Sequence, residues 1–413
     1  MSTTAPESAW ALLRNRGFAM VLSYRILALL SYQVVAVSVG WHIYQLTGNT
    51  FSLGLVGLAE VLPFFCVAPF AGYLVDHLPR RRLGMAACTA LALTALVLVG
   101  AAKHWWPGTP LWPIYSAIAL TGMARSFLSP IYNALFARVL PREQFVRGAS
   151  LGSVIFQTAL VCGPALGGVL VGVGGESLAY SVAMVLALGA GVVLFKLRVD
   201  EPGPPKESLP IFASIAQGGR FVWNHPVMLG AMALDMFSVL LGGVVAMLPA
   251  FIQDILQHGP EGLGILRSAP ALGAVAVGLW LARHPLQRNA GRILLWAVAG
   301  FGLCVIAFGL SRNFWLSAVI LVAYGVCDGV SMIVRSTILQ LATPDDMRGR
   351  VSSINGIFIS SSNELGAFYA GTMARLLGLV PAVLLGGAAI LVVVGVTAKR
   401  APALRRLDLK DLH

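Results

Sequence analysis

The sequence predicts an all-α membrane protein, with twelve transmembrane helices in two pseudo-symmetric six-helix bundles. Three observations carry this. Apolar stretches of roughly 20 residues, the length that crosses a hydrocarbon core of about 30 Å, recur along the whole chain. Lysine and arginine crowd onto alternate connections between those stretches. The second half of the chain repeats the first at a constant offset.

Composition excludes a soluble fold. Of 413 residues 57% are apolar and 11% charged, whereas soluble domains carry about 25% charged residues. The apolar stretches are too many for a signal peptide, and residues 1–16 lack an apolar core and cleavage site, so they read as a retained cytoplasmic tail.

Taken in order, the first six spans fall near residues 19–45, 51–75, 83–102, 111–137, 149–173 and 178–197. The second six fall near 226–256, 263–283, 293–311, 314–343, 351–377 and 380–398. With the N-terminus cytoplasmic, 22 of the 29 Lys and Arg lie on that side, including Arg80, Arg81, Arg82, Arg138, Arg142, Arg288, Arg292, Arg348 and Lys399. The opposite side holds only Lys103 and Arg312. This asymmetry places both termini in the cytoplasm. It also accounts for the net charge of +12 without a nucleic-acid partner, because no basic segment is interleaved with exposed aromatics.

Between the sixth and seventh spans lies the longest polar stretch, containing Pro202, Gly203, Pro204, Pro205 and Lys206. It divides the chain into an N-terminal bundle (1–197), a cytoplasmic linker (198–225) and a C-terminal bundle with a cytoplasmic tail (226–413). A short surface helix is expected around Phe212 to Trp223. The five cysteines, Cys66, Cys88, Cys162, Cys304 and Cys327, sit inside apolar spans as small core residues, without metal-site spacing or a disulfide framework.

The repeat is read from polar landmarks. Pro141, Arg147, Ser150, Gly163 and Gly168 after the fourth span match Pro344, Arg350, Ser353, Gly366 and Gly371 after the tenth, each 203 residues on (344 − 141). A parallel repeat of this kind is an axis along the membrane normal relating two bundles.

Charges inside the spans are confined to two helices in every three. Arg25, Glu60, Arg125, Asp235, Arg267, Asp328, Arg335, Glu364 and Arg375 lie in spans 1, 2, 4, 7, 8, 10 and 11, while spans 3, 6, 9 and 12 have no ionisable residue in their interiors. Intramembrane charges face a bundle interior or a water-filled cavity, so the charged helices are expected to surround something polar. Arg125 and Asp328 occupy repeat-equivalent positions with opposite charge. They form either one ion pair between halves or two separate polar features. Glu60, Asp235, Asp328 and Glu364 are the candidate proton-coupling acids, Glu60 and Asp235 foremost, because a carboxyl in a dry helical setting titrates nearer neutrality. Arg25, Tyr32, Gln33, Arg125, Phe237, Asn355 and Phe358 are candidate residues of a cavity suited to an amphipathic or aromatic molecule.

Gly72-Tyr73-Leu74-Val75-Asp76-His77-Leu78-Pro79-Arg80-Arg81-Arg82 resembles the signature loop of the major facilitator superfamily. Gly72 permits close helix approach, Asp76 sits at a helix end, and the arginines anchor the cytoplasmic face. The resemblance implies that Gly72, Asp76, Arg80 and Arg81 form a conformational latch. Gly163-Pro164-Ala165-Leu166-Gly167-Gly168 resembles the glycine-proline motif of proton-driven exporters in that superfamily, which implies a helix bend there. Tyr44-Gln45-Leu46-Thr47-Gly48, Arg125-Ser126-Phe127 and Thr343-Pro344-Asp345-Asp346-Met347-Arg348-Gly349-Arg350 are similar to the enterobactin-exporter-like (transmembrane secretion effector) branch. The glutamine-glycine of another exporter motif does not follow Arg125, and Ala367 and Phe368 follow Glu364-Leu365-Gly366 where many relatives carry acids.

The resulting expectation is a secondary transporter that exports a small amphipathic molecule, siderophore or drug-like, by alternating access in a bacterial inner membrane. Uptake symport or lysolipid flipping on the same fold is the alternative. A membrane enzyme or receptor is remote, since His42 is the one histidine within the spans and has no evident catalytic partner. No Gly-x-x-x-x-Gly-Lys-Ser/Thr loop is present. The expected energy source is therefore the proton gradient, with no cofactor and no metal. The expected partners are the substrate and the bilayer, with the chain a monomer.

Overall fold

In hydrocarbon every backbone N–H and C=O must find its partner within the protein, and an α-helix does so inside one segment. The computed structural model describes residues 9–108, 111–199, 211–284, 289–344 and 347–408, and no strand occurs among them.

The first half holds α1 (Arg16–Thr47), α2 (Thr50–His77), α3 (Arg80–Ala102), α4 (Leu111–Val139) and α5 (Phe145–Lys196). The 52 residues of α5 are two helices joined at Gly174 and Gly175, with Gly175 at φ 69°, a left-handed value that only a residue without Cβ adopts at no steric cost. The linker helix expected near 212–223 is α6 (Ile211–Trp223).

The second half begins with α7 (Pro226–Leu241). The single helix expected over 226–256 is broken: a 3₁₀ turn (Gly243–Met247), the short α8 (Leu248–Ala250) and a π turn (Phe251–Leu256) complete it. The cause is local. Gly242 and Gly243 interrupt the apolar run, and a Cβ at Gly243 would lie 2.5 Å from the Gly366 carbonyl oxygen. There follow α9 (Pro260–Arg283), α10 (Ala290–Leu310), α11 (Phe314–Ala342), α12 (Arg348–Leu377), α13 (Leu379–Arg400) and α14 (Pro402–Arg405).

Among the described residues nine helices are long and apolar enough to cross a membrane, with α5 counted once and 226–256 counted once. The helices α4 and α12 have the length, 29 and 30 residues, but are more polar. The 203-residue repeat appears in the element ends: α4 and α11 are displaced by that amount at both ends (314 − 111, 342 − 139).

The chain separates into two compact units, Met1–Val39 with Leu62–Ser208, and Gly40–Val61 with Leu209–His413. This differs from a division at the linker alone, because the end of α1 and the start of α2 join the second unit. Small residues explain the attachment. A Cβ at Gly57 would lie 2.7 Å from the Glu364 carbonyl oxygen, and one at Gly54 3.1 Å from that of Phe368. A Cβ at Gly371 would lie 2.6 Å from the Thr50 oxygen. Backbones meet directly where side chains are absent.

In the first unit, Asn15 caps α1 by accepting from the Phe18 N–H at 3.2 Å, and its amide donates to the Val139 carbonyl at the end of α4 at 3.0 Å. Phe18, Tyr24, Ile131, Leu135 and Leu194 are buried in one apolar core joining α1, α4 and the second half of α5. In the second unit α9 and α11 touch through glycine. A Cβ at Gly273 would lie 2.0 Å from the Val322 oxygen, and one at Gly325 1.9 Å from the Pro270 oxygen.

Candidate functional site

Each unit holds its own buried polar cluster. In the second unit α7 presents Asp235 and Ser238, three residues apart, and α11 presents Asp328, Ser331 and Arg335 at spacings of three and seven. Residues so spaced share one helix face. Asp235 forms an ion pair with Arg335, both nearly inaccessible to solvent. Asp235, Ser238, Phe301, Asp328 and Ser331 line one small cavity. The Ser331 hydroxyl is buried and has no hydrogen-bond partner among the described residues. Two carboxylates thus face one small cavity, and one of them, Asp235, is paired with a guanidinium.

In the first unit, Arg125 of α4 donates to the Tyr32 hydroxyl of α1 at 2.6 Å, and its guanidinium lies 5.1 Å and 5.3 Å from the ring centres of Tyr32 and Phe64. Nearer the Arg16 end of α1, Arg25 stacks on the Tyr132 ring at 3.8 Å. Tyr24, Arg25, Ser129, Tyr132 and Phe156 belong to the lining of one small, partly open cavity. Arg125 and Asp328 are each built into the cluster of their own unit.

The remaining expected residues fall elsewhere. Glu60 is buried on α2 one turn beyond Gly57, and Glu364 sits on α12 where Gly57 meets its backbone. These two acids are on touching helices, and neither lines the Asp235–Asp328 cavity. The Gln33 side chain packs against Gly163, where a Cβ would approach it to 2.5 Å. Phe237 is 43% exposed, and Phe358 packs on the apolar cluster of Val222, Met232 and Ile354, so both lie outside the two cavities, as does Asn355.

The motif regions fall as follows. Gly163, Pro164, Gly167 and Gly168 are buried within α5, whose helical dihedrals continue through Pro164 and break at Gly174 and Gly175 instead. The glycines serve close packing on α1, since a Cβ at Gly167 would lie 3.3 Å from the Val34 backbone. Among the described residues Gly72 has nothing within 4 Å of its Cβ position. In the same loop Arg81 donates to the Leu197 carbonyl at 2.9 Å, tying the start of α3 to the end of α5. Arg80 keeps a buried Nε without a hydrogen-bond partner among the described residues. The Asp76 side chain lies outside the described residues.

Tyr132, Phe156, Ser238 and Ser331 were missed from the sequence as site residues. A signal for the first was present: Tyr132 follows Arg125 by seven residues, and 203 further on Arg335 follows Asp328 by seven. The same face of the same helix in both repeats carries the polar cluster.

Long apolar helices that bury ionisable clusters around cavities define a multi-pass membrane transporter. The sequence model of the Major Facilitator Superfamily matches residues 21–367, and the chain belongs to that superfamily. It is 25% identical over 392 residues to the multidrug efflux pump Tap of Mycolicibacterium fortuitum, covering 91% of this chain and 93% of that one. To the Tap pump of Mycobacterium tuberculosis it is 28% identical over 414 residues, covering 96% of each. To the enterobactin exporter EntS of Shigella boydii it is 25% identical over 374 residues, covering 87% and 86%. Among solved structures, a bacterial homologue of the human lysosomal transporter Spinster superposes with a TM-score of 0.72 at 14% identity, covering 99% of both chains. The nucleoside transporter NupG gives 0.72 at 14% identity, covering 92% and 99%. These structures share the fold.

Proposed function

We propose that this transporter exports small amphipathic molecules, siderophore or drug-like, in exchange for protons, by alternating access of two six-helix bundles in a bacterial inner membrane. Both termini would be cytoplasmic, and the chain would act as a monomer with no cofactor. The similarity to the Tap pumps and to EntS supports the outward direction.

The observation that supports proton coupling is the cavity lined by both Asp235 and Asp328, of which Asp235 is ion-paired, to Arg335. Asp235 is compensated by Arg335. Asp328 makes no ion pair among the described residues, so a proton bound there removes the excess negative charge and one released restores it. Glu60 and Glu364, on touching helices, are the second place where a proton can be held.

The test uses purified protein in proteoliposomes with an imposed pH gradient and a panel of ethidium, tetracycline and a catecholate siderophore. Movement of a panel member against the proton flow, abolished by a protonophore, is expected for the wild type. Asp328→Asn should lose gradient-driven movement yet keep exchange of labelled for unlabelled compound. Transport insensitive to the gradient in wild type, or gradient-driven transport unchanged in Asp328→Asn, Asp235→Asn and Glu60→Gln alike, would sink the carrier assignment.

A further inference from the structure

The cavity at Arg25 stands apart from the proton-coupling proposal and has its own chemistry. Arg25 lies nine residues into α1 from Arg16, about 14 Å along the helix. Among the described residues it makes no hydrogen bond and no ion pair. Its guanidinium is held by aromatic faces alone, 3.8 Å from the Tyr132 ring centre and 5.4 Å from that of Phe156. Aromatic faces attract a cation but fill none of its five N–H donors.

Two more donors are idle beside it. The hydroxyls of Tyr24 and Tyr132 are buried and without hydrogen-bond partners among the described residues, and both residues line the cavity. Buried polar groups are normally satisfied, and here two buried hydroxyls remain unsatisfied in the lining that also holds the half-buried Arg25. Among the described residues no carboxylate lines the cavity. Gly152 makes the arrangement possible, because a Cβ there would lie 2.2 Å from the Tyr132 hydroxyl oxygen and 3.1 Å from an Arg25 nitrogen. Leu29, Leu128 and Phe156 supply an apolar wall.

We propose that this cavity is an anion-recognising subsite, in which Arg25 with the Tyr24 and Tyr132 hydroxyls takes the carboxylate or sulfonate of an aromatic substrate whose ring rests on Phe156 and Leu128. The planar guanidinium pairs with such groups through two parallel N–H bonds. This rests on the reading of the chain as a carrier of amphipathic molecules, and it narrows the class to amphiphiles with an anionic head.

The test compares 2-naphthoate with its neutral isostere 2-naphthamide on the purified full-length protein, by calorimetry in a non-ionic detergent. Wild type is expected to bind the acid at least about tenfold tighter than the amide. Arg25→Gln should erase the preference, Arg25→Lys should keep a reduced one, and Tyr24→Phe should weaken the acid several-fold while leaving the amide unchanged. The wild-type comparison needs no variant to fold. Equal affinities, no binding of either probe, or a preference surviving in Arg25→Gln each overturns the subsite. An anionic lipid phosphate is the other source of such a head, so the measurement is repeated in nanodiscs containing phosphatidylglycerol. Persistence of the acid preference there assigns the site to a solute, and its loss assigns Arg25 to lipid and overturns the proposal. The two readings fail separately: gradient-driven export of neutral and anionic panel members alike would leave the transporter standing and remove the subsite. Acid-selective binding without any gradient-driven transport would do the reverse.

Discussion

Arg335 of α11 reaches across to Asp235 of α7 in an ion pair, while Asp328, two helical turns earlier on α11, lines the same cavity as Asp235. Arg335 is the partner of Asp235 alone, and its removal strands that acid. Arg335→Leu is expected to cost about 3–5 kcal/mol, the penalty for an uncompensated buried charge, read as a fall in thermal unfolding temperature in detergent. The double variant Asp235→Asn with Arg335→Gln should recover most of that loss. A single variant as stable as wild type would show that the pair compensates nothing.

The Arg125–Tyr32 contact gives the corresponding expectation for the first unit. Tyr32→Phe removes the 2.6 Å hydrogen bond and keeps the ring beneath the guanidinium. A double-mutant cycle with Arg125→Gln should return a coupling of about 1–2 kcal/mol. Strictly additive effects would place the two residues in independent environments.

Glycine contacts predict where size is forbidden. Gly325→Ala would drive a methyl into the Pro270 carbonyl and part α9 from α11, costing at least about 1–3 kcal/mol. Gly278→Ala, on α9 with open space around it, should be neutral or stabilising by a few tenths of a kcal/mol, as alanine is the better helix former. Size-exclusion profiles and melting temperatures of the two variants check the contrast. Equal behaviour would refute the backbone contact.

The hydroxyl of Tyr44, near the end of α1, donates to the carboxylate of Asp254 in the π turn. Tyr44→Phe should loosen this attachment by about 1.5–3 kcal/mol. Hydrogen exchange in residues 40–47 and 251–256 should then quicken roughly tenfold or more, with amides in α4 and α10 unchanged. A uniform change across the molecule would point to global destabilisation instead.

How far the site was legible follows from what helical spacing encodes. Arg25, Arg125, Asp235, Asp328 and Arg335 stand out because a charge in an apolar run is costly and must be housed. Tyr132, Phe156, Ser238 and Ser331 do not, since aromatics and hydroxyls within spans serve packing and backbone bonding as often as any site. Phe237 and Phe358 resemble cavity residues in composition, yet one is exposed and the other fills an apolar cluster. The rotation of each helix about its own axis separates these cases, and a nearly uniform apolar pattern does not specify that rotation. The break after Leu241 was likewise hidden, because paired glycines such as Gly242 and Gly243 also occur inside a continuous helix, as Gly167 and Gly168 do in α5.

By itself the sequence determined the all-α membrane class, the 203-residue repeat and which helices bear charge. Each of these depends only on composition and on spacing along the chain. Only the tertiary structure decided that Asp235 takes Arg335 as its partner and that Arg25 rests on aromatic rings without one. It also decided that residues 40–61 belong with the second unit. Those outcomes depend on which backbones can touch, and glycines on different helices, far apart in the chain, set that jointly.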